Sequence, residues 1–409
     1  MVGFLYYGRL EKEKGVDSLI TALKKLQKTD LHFEIFIFWK GSLEEELLAL
    51  EDKRIHFFGR KPLHVIEKYL SNIDYCLMPS EFLETFWLSA LNALAWGIPV
   101  IGYKKGGMEK FVFWDLNLYT FRGKNTAERI ISCINMLCAM PEKEIQEKKE
   151  AYQYQALLLV DEYSKNLWYQ HFMQLSKFSD EKKKIVLVSD FINKIGGIET
   201  YINDVKDFLE IQGFEVVLWG KQAKSGFLGT LQKYFGILSS PFGWCRSYRF
   251  KKFLLQEKPD LIRFHSLLRG LGKGVVESAE QYKQKEKKAV SLWMMYHDFG
   301  YFYPYPHSLF EKDQCKCPLS LSNFLIGQKG LKKILAFGKY LLMKGLVKTL
   351  KKTIDLHLTP SDFMREMVIQ SYQLSVKKVK TFPHFIQDGQ KREETKSPNW
   401  SFPLEDSEK

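Results

Sequence analysis

Residues 75–101 read YCLMPSEFLETFWLSALNALAWGIPVI. The stretch opens with a short apolar run, Tyr75–Met78, continues through a loop that begins with Pro-Ser, and closes with a second apolar run, Pro99–Ile101. Between the two runs, Glu84–Ala95 has apolar residues at helical spacing. A buried strand, a helix and another buried strand in this order predict the βαβ unit of a parallel sheet. The stretch therefore predicts an α/β fold.

The same alternation continues towards both ends of the first half of the chain. A helical pattern, Asp17–Leu26, follows the first apolar run, and two further helical stretches close this half, the second from about Tyr163 to Phe178. A charged segment, residues 179–184, indicates a linker, so residues 1–178 are predicted to form the first domain. The other predicted strands of this domain are Phe4–Tyr7, Phe33–Phe38 and Ile55–Phe58.

A second alternating series begins after this linker. Residues 185–386 are predicted to form a second α/β domain, and the polar, proline-containing residues 387–409 a linker or tail. A chain of 409 residues is too long for one ordinary core, which agrees with two domains. The predicted strands of the second domain are Ile185–Ser189, Glu215–Trp219, Leu261–Phe264, Ala289–Tyr296, Leu356–Thr359 and Val379–Phe382.

The composition indicates a globular protein with anionic partners. Apolar residues make up 45% of the chain, and the formal net charge of +13 favours nucleotides, acidic lipid headgroups or nucleic acid. The six cysteines show neither zinc-site nor disulfide-framework spacing, which predicts a reducing, cytoplasmic setting. Met1 leads directly into an apolar run without a signal-peptide pattern, and no uncharged run is long enough to span a bilayer. Any membrane contact is therefore expected to be peripheral.

The first candidate site is Gly8-Arg9-Leu10 with Lys14-Gly15, between the first predicted strand and the first predicted helix. Glycine at such a turn lets the backbone approach a ligand, and a helix N-terminus favours an anion. Arginine can grip phosphate oxygens with two N–H groups, and lysine adds a compact positive charge. The fragment predicts a phosphate site, and a solvated basic turn is an equally open interpretation of it.

Glu84 and Asn92 are the polar candidates within residues 75–101. The predicted helix begins at Glu84 and Asn92 lies two turns later, so at about 3.6 residues per turn both are expected on roughly one face. The segment follows the carboxyl end of a predicted strand, where open α/β sheets bind ligands. Alternatively, Glu84 is a first-turn acid that only favours the helix dipole.

These two segments resemble the nucleotide-binding domain of GT-B glycosyltransferases, in particular glycosyltransferase family 4. That family has a Gly-Arg-Leu strand end, a following Lys-Gly, two glutamates separated by seven residues and a closing Pro-Val. A double glycine and a glutamate come next, here Gly106-Gly107-Met108-Glu109. The resemblance implies two Rossmann-like domains, with Arg9 and Lys14 on the donor diphosphate and Glu84 as a catalytic residue at the donor sugar. It also assigns to donor binding Phe86, Trp87, Asn92 and Glu109.

Two positions depart from the family pattern. Asn92 replaces the second glutamate, which grips the nucleotide ribose, by an amide that donates and accepts hydrogen bonds but carries no charge. Trp87 replaces a glycine, so its indole is expected to crowd the backbone amides near the donor. Both departures leave open a non-catalytic sugar-binding or lipid-binding relative as the alternative function.

The second half resembles the acceptor-side domain of the same family. Its first strand leads into a double-glycine loop, and the resemblance implies that Gly196 and Gly197 let the backbone approach the donor phosphate or the acceptor. His265 and His297 each follow a predicted strand, and His297 is implied to be the second catalytic residue, facing the donor sugar. A structural role remains open for both histidines. Pro383-His384-Phe385-Ile386 resembles the hinge of the family.

The resemblance covers nearly the whole chain, but in inverted order. Family members run from acceptor domain to hinge to nucleotide domain, whereas here the nucleotide domain comes first. Joining Lys409 to Met1 would restore the ordinary order, which predicts a circular permutation; an artefactual join of two glycosyltransferase fragments is the alternative. We expect one connection between the domains, from about Tyr163 to Lys184, with Lys409 close to Met1.

Residues 314–354 contain no acidic residue and are rich in lysine. At helical spacing they form an apolar and a basic face, as in helices that lie on anionic membrane surfaces. A solvated surface helix is an equally open interpretation. The apolar face is predicted to hold Leu331, Ile334, Leu335, Leu342 and Leu346, and the basic face Lys333, Lys344, Lys348 and Lys351.

The resemblance implies a retaining, metal-independent glycosyltransferase. It would move a sugar from a nucleoside diphosphate sugar to a glycan or lipid-linked acceptor in cell-surface polysaccharide or glycolipid synthesis. No cofactor beyond the nucleotide sugar and no metal is expected, and the sequence has neither an Asp-x-Asp pair nor a P-loop. No nucleic-acid partner is expected either, because no recognised motif accompanies the positive charge. The expected setting is cytoplasmic, peripheral at the inner face of the membrane.

Overall fold

Each half of the chain folds around a six-stranded parallel sheet. The computed structural model describes residues 1–178, 183–193, 196–222, 244–268, 270–286, 289–302, 320–325 and 329–386. The strands of the first sheet are β1 Val2–Tyr7, β2 Phe33–Phe38, β3 Ile55–Gly59, β4 Tyr75–Met78, β5 Val100–Gly102 and β6 Val112–Asn117. Their order, β3-β2-β1-β4-β5-β6, is that of a Rossmann fold.

Helices cover both faces of the first sheet. Every residue of β1 is buried, because Phe4 and Tyr6 join one hydrophobic core while Leu5 and Tyr7 join another on the opposite face. Such a strand requires an uninterrupted apolar sequence, as the first residues of the chain provide. The helices of this half are α1 Val16–Leu26, α2 Glu44–Leu48, α3 Leu63–Ile66, α4 Leu88–Ala95, α5 Thr126–Ala139 and α6 Glu142–Asp161.

The second sheet is built in the same way. Its strands are β7 Lys184–Phe191, β8 Glu215–Lys221, β9 Leu261–Ser266, β10 Ser291–Met295, β11 Leu356–Thr359 and β12 Val379–Thr381, in the order β12-β11-β10-β9-β7-β8. The remaining helices are α7 Lys165–Ser176, α8 Gly197–Ile211, α9 Trp244–Glu257, α10 Lys273–Lys285, α11 Leu321–Leu325, α12 Leu331–Thr353 and α13 Asp362–Tyr372. The predicted fold class, α/β with two Rossmann-like domains, is confirmed.

Helix α7 packs on the second sheet, although the sequence placed it in the first domain. Trp168 and Phe172 are buried in one core with Ile185 and Leu187 of β7. The two aromatic rings stack with their centroids 5.6 Å apart and cover the strand. The boundary predicted at residue 178 therefore falls after a helix that already belongs to the second core. The predicted linker, residues 179–184, lies mostly outside the described residues, and the predicted tail lies wholly outside them.

Within the described residues, the chain passes between the two domains at two adjacent points, whereas the sequence predicted a single connection. The first crossing is the short turn between α6 and α7. At the second, Ile386 returns to the core of the first domain beside Ala156 and Val160. The Ile386 N–H donates to the Tyr163 carbonyl oxygen over 3.0 Å, so the two crossings lie side by side. The expected proximity of Lys409 to Met1 concerns a terminus outside the described residues.

Helix α4 begins at Leu88, four residues later than predicted. Trp87 is its N-cap and has extended backbone angles, so Glu84 lies in the loop before the helix and does not share a helical face with Asn92. The loop is held by tertiary bonds, because the Glu84 carbonyl accepts from the Gly107 N–H over 2.7 Å. Strand β6 is an addition to the predicted strands.

Helix α12 does not present the single apolar face that the sequence predicted. Leu346 is buried in the core of the second domain with Val347 and Leu350, because the C-terminal half of α12 packs on α10. Ile334 and Leu341, which lie about one and three turns into the helix, are 68% and 51% exposed. The predicted residues 314–319 and 326–328 lie outside the described ranges. Within those ranges no helix is both long and apolar enough to cross a membrane.

Candidate active site

A cavity of about 780 Å³ lies between the two sheets. The segments that line it follow the carboxyl ends of parallel strands, which is where open α/β sheets bind ligands. Gly8 and Arg9 follow β1, and His297 follows β10. The carboxyl ends of the strands in both sheets point towards this cavity. Loops that are distant in the sequence therefore line it together. Its lining residues include Tyr7, Gly8, Arg9, Lys14, Trp39, Arg60, Phe86, Trp87, Asn92, Gly196, Gly197, His297 and His384.

The structure brings most of the sequence-predicted site residues to this cavity. The first domain contributes five of them and the second domain three, namely Arg9, Lys14, Phe86, Trp87 and Asn92, and Gly196, Gly197 and His297. Glu84 is buried behind the lining and contacts Lys14. Glu109 is exposed and lines a separate cavity of about 460 Å³, with Phe86, Gly106 and Lys110. His265 is buried behind His297.

Lys14 and Glu84 form a buried ion pair at the cavity wall. The Lys14 Nζ and Glu84 Oε1 atoms are 2.6 Å apart, and the two side chains are only 12% and 8% exposed. The Ser80 hydroxyl donates to the same carboxylate oxygen over 3.2 Å. The Lys14 ammonium also lies 4.4 Å from the Trp87 ring centroid, a cation–π distance. The pair, which is neutral overall, fixes the position of the Lys14 ammonium at the cavity wall.

The turn after β1 is held by Tyr6. Its hydroxyl donates to the Arg9 carbonyl over 2.8 Å, and burial, followed by the charge of Glu84, raises the pKa of Tyr6 well above its usual range. The phenol therefore stays protonated and remains a donor. The Arg9 guanidinium is 3.1 Å from Glu13 and its side chain is half exposed, so it can turn towards a ligand in the cavity.

Three histidines stack beside the cavity in the second domain. His265 Nδ1 and His297 Nε2 are 2.8 Å apart, and the ring of His384 lies parallel to that of His297 with centroids 5.3 Å apart. Burial lowers the pKa of His297, and His384 and Arg263 lower it further. Burial followed by Arg263 lowers the pKa of His384 to about 3. The stack is therefore neutral at physiological pH.

The two domains are joined by hydrogen bonds at the edge of this cavity. The Thr85 hydroxyl donates to the His297 carbonyl over 2.7 Å, and the Ser361 hydroxyl donates to the Thr85 carbonyl over the same distance. Thr85 is the residue after Glu84, so the loop that carries the Lys14–Glu84 pair is tied directly to the second domain. These hydrogen bonds therefore hold the first-domain and second-domain parts of the candidate site in a fixed relative position.

Sequence reasoning missed several cavity residues. Trp39 has a φ of 117°, a left-handed value that costs a tryptophan strain, and the Arg60 guanidinium lies 5.0 Å from its ring centroid. His384 was assigned only to a hinge, yet it lines the cavity. Trp39 and Arg60 directly follow β2 and β3, so the rule that ligands bind at the carboxyl ends of strands could have found them. In the described ranges, no three His, Cys, Asp or Glu side chains group as a metal site requires.

The first domain can be compared with known families. Residues 3–154 match Glycosyl transferases group 1. The matched range contains the whole first sheet together with Arg9, Lys14, Glu84 and Asn92. The relationship to sugar transferases predicted from the sequence is thus confirmed for this part of the chain.

Characterised relatives are similar over part of the chain. A glycogen synthase of Mycobacterium tuberculosis is 33% identical over 113 residues, which are 26% of this chain and 27% of the relative. A lipopolysaccharide 1,2-N-acetylglucosaminetransferase of Salmonella typhimurium is 27% identical over 161 residues, 36% of this chain and 42% of the relative. The chain thus spans about a quarter of the first relative's length and less than half of the second's.

Two solved structures have some similarity to this chain. The catalytic domain of a cholesterol-alpha-glucosyltransferase from Helicobacter pylori has a TM-score of 0.32 and 18% identity, over 38% of this chain and 97% of that one. Anabaena HepE in complex with UDP-glucose has a TM-score of 0.34 and 18% identity, over 43% of this chain and 49% of that one.

Proposed function

We propose that the protein is a glycosyltransferase that moves a sugar from a nucleoside diphosphate sugar to an acceptor hydroxyl, with retention of anomeric configuration. The observation that carries the proposal is the cavity at the carboxyl ends of both sheets, with Arg9 and Lys14 on one side and Gly196, Gly197 and His297 on the other. The group 1 match over residues 3–154 and the resemblance to family 4 support it.

Charge stabilisation is the main catalytic task in such a reaction. The leaving group is a diphosphate, so fixed positive charges accelerate bond cleavage without reorganising during the step. Lys14 supplies such a charge, and Arg9 can turn towards the same space. Helix α8 adds its N-terminus, which favours an anion: Gly196 at the N-cap makes no side-chain capping hydrogen bond, and a Cβ on Gly197 would meet no described residue within 4 Å.

The acceptor is proposed to be a glycan or a lipid-linked sugar. The two relatives, a glycogen synthase and a lipopolysaccharide 1,2-N-acetylglucosaminetransferase, support a saccharide acceptor in polysaccharide or glycolipid synthesis. We propose that no metal and no cofactor other than the nucleotide sugar takes part, and that nucleic acid is not a partner. The inverted domain order is proposed to be a circular permutation, with an artefactual join as its alternative.

A panel of nucleotide sugars tests the function directly. Each sugar nucleotide is scored for thermal stabilisation of the purified protein and for release of nucleoside diphosphate with saccharide acceptors. At least one donor is expected to stabilise the protein and to be turned over. Stabilisation without release for any acceptor would favour the non-catalytic relative that Asn92 and Trp87 leave open, and the absence of both effects would overturn the proposal.

Asn92→Glu is expected to strengthen nucleoside diphosphate binding about fivefold to tenfold, because a carboxylate accepts from the ribose hydroxyls with charge assistance. Asn92 lines the cavity from α4. Calorimetry with the free nucleoside diphosphate measures the change. Ser89→Glu is the matched control. Ser89 lines the same cavity one helical turn earlier, and its replacement by glutamate adds the same charge. Weaker binding by Asn92→Glu would mean that the pocket is built around the amide.

We also propose peripheral attachment to anionic membranes through the N-terminal half of α12. Ile334, Phe337 and Leu341 are exposed apolar side chains at helical spacing, beside the exposed Lys333 and Lys344. The protein is expected to float with vesicles that contain anionic lipid and not with neutral vesicles.

The double variant Ile334→Ser/Leu341→Ser should lose this flotation. The control Ile211→Ser/Leu255→Ser changes two equally exposed apolar residues on α8 and α9 and should keep it. Flotation that does not depend on anionic lipid content would contradict the proposed attachment.

A further inference from the structure

Arg263 is a fully buried cation without a counter-charge in the described part of the chain. Its side chain is 0% exposed, and its Nη2 donates to the Tyr201 hydroxyl over 3.2 Å. Its Nε and Nη1 atoms have no hydrogen-bond partner among the described residues. Aromatic rings surround the guanidinium, the nearest being Phe382 with its centroid at 5.2 Å. A buried charge that is so poorly compensated is costly to folding, so its retention calls for a functional explanation.

Arg263 lies two residues before His265 on strand β9, so both side chains project from the same face of the second sheet. His265 is hydrogen-bonded to His297, which lines the cavity. The buried charge therefore acts on a cavity residue through one intermediate side chain. Tyr201 packs against this group from α8, with its ring centroid 5.5 Å from that of His297.

The contact between His265 and His297 fixes where their protons lie. One proton is shared between His265 Nδ1 and His297 Nε2, so each ring must be a donor or an acceptor there. His265 Nε2 is buried and has no hydrogen-bond partner in the part of the chain that the structure describes. A lone pair on that atom is stabilised by the nearby guanidinium, whereas an N–H there would add one more donor without an acceptor beside the two of Arg263. His265 is therefore the donor, and the proton of His297 lies on Nδ1.

We propose that Arg263 and His265 are positioning residues that hold His297 as a neutral imidazole with its Nδ1–H available to a ligand oxygen in the cavity. The inference rests on the proposed function only in naming that ligand as the donor sugar nucleotide. Protonating His297 would place a hydrogen on Nε2, opposite the Nδ1–H of His265, and would break the bond that orients the ring.

Both domains contribute charged and titratable groups around His297. Burial is the largest cause of its lowered pKa, followed by His384 and Arg263. Removing Arg263 should therefore raise the pKa of His297 towards, but not up to, the ordinary value of about 6.5. The groups that face the ring or share its cavity are, in the second domain, Arg263, His265, Tyr201, Asp204 and His384, and, in the first, Tyr7, Arg9, Lys14, Arg60 and Lys61.

Ring-nitrogen NMR of the full chain labelled with ¹⁵N-histidine tests the assignment without enzyme activity. His297→Asn identifies the His297 signals by their loss. The wild-type protein is expected to show a protonated Nδ1 and an unprotonated Nε2 for His297 from about pH 6 to 8. The opposite tautomer, or an imidazolium in this range, would overturn the proposal.

Two substitutions of His265 separate positioning from packing. His265→Asn keeps an N–H near the position of Nδ1 and should preserve the His297 tautomer and donor turnover. His265→Leu removes the donor and should lose the single tautomer and about tenfold of kcat/KM for the donor, as expected for a lost positioning contact. Equal tautomers and turnover in His265→Leu and the wild type would contradict the role of His265.

Arg263→Met removes the buried charge at similar volume. Its kcat/KM is expected to fall by at most about fourfold relative to the wild type at pH 6 and to recover at pH 8, because a pKa that stays below about 6.5 exposes His297 to protonation only on the acid side. Arg54→Met is the matched control in the first domain. Each guanidinium nitrogen of Arg54 donates a hydrogen bond, and Arg54 does not line the cavity. Its pH profile should be that of the wild type.

The two proposals fail separately. If no nucleotide sugar binds or is turned over but the His297 tautomer is as assigned, the function is wrong and the assignment stands. If a donor is turned over while Arg263→Met has an unchanged pH profile, the positioning role of Arg263 is wrong and the function stands.

Discussion

Replacing Lys14 by methionine is expected to lower nucleoside diphosphate release by at least about 100-fold and to destabilise the protein by about 3 to 5 kcal/mol. The catalytic loss follows from removing a fixed charge at the proposed diphosphate site. The loss of stability has a different cause, since Glu84 would keep a nearly buried carboxylate with its ion-pair partner removed. Turnover assays and chemical denaturation measure the two effects.

The double variant Lys14→Met/Glu84→Gln separates these two effects. It removes both charges, so it should regain most of the lost stability, because a neutral pair has no uncompensated charge to bury. Its turnover should stay low. Lys12→Met is the control, since Lys12 is 83% exposed in its side chain and lies 3.9 Å from Asp17, so it should change neither quantity. Unaltered stability in Lys14→Met, or recovered turnover in the double variant, would contradict this account of the pair.

Gly107→Ala is expected to cost about 3 kcal/mol of stability and to lower turnover about tenfold. A Cβ at this position would lie 2.2 Å from the Thr85 carbonyl oxygen, a backbone atom that cannot move freely. Thr85 is bound to His297 and Ser361 of the second domain, and the Gly107 N–H itself donates to Glu84. The added methyl group would therefore displace the loop that joins the two halves of the site.

Gly338→Ala is the matched control for this variant. Gly338 lies within helix α12, and a Cβ there would meet nothing within 4 Å. Alanine favours a helix over glycine, so this change should raise stability by up to about 1 kcal/mol and leave turnover unchanged. If the denaturation curves of Gly107→Ala and Gly338→Ala coincided, the methyl group added at residue 107 would cause no strain against Thr85.

The strands were largely predictable because parallel strands covered on both faces need continuous apolar sequence. β4 and β11 were predicted with the bounds that the structure has. β6 was missed because it is an edge strand whose middle residues, Trp114 and Asp115, are exposed, so it has no continuous apolar run. The start of α4 was misplaced because helical periodicity cannot distinguish the first turn of a helix from a loop held by distant hydrogen bonds.

The sequence by itself determined the two α/β halves, the basic turn at Arg9 and Lys14, and the double glycine at residue 196, because each depends on neighbours within one strand, turn or helix. Only the tertiary structure decided which side chains of the candidate site contact each other. Glu84 pairs with Lys14, 70 residues away, and His265 meets His297 from the next strand of the sheet. It also placed α7 on the second core and Arg263 behind the histidines. Such contacts depend on how the sheets and helices pack, and a local pattern contains no information about atoms that meet from distant parts of the chain.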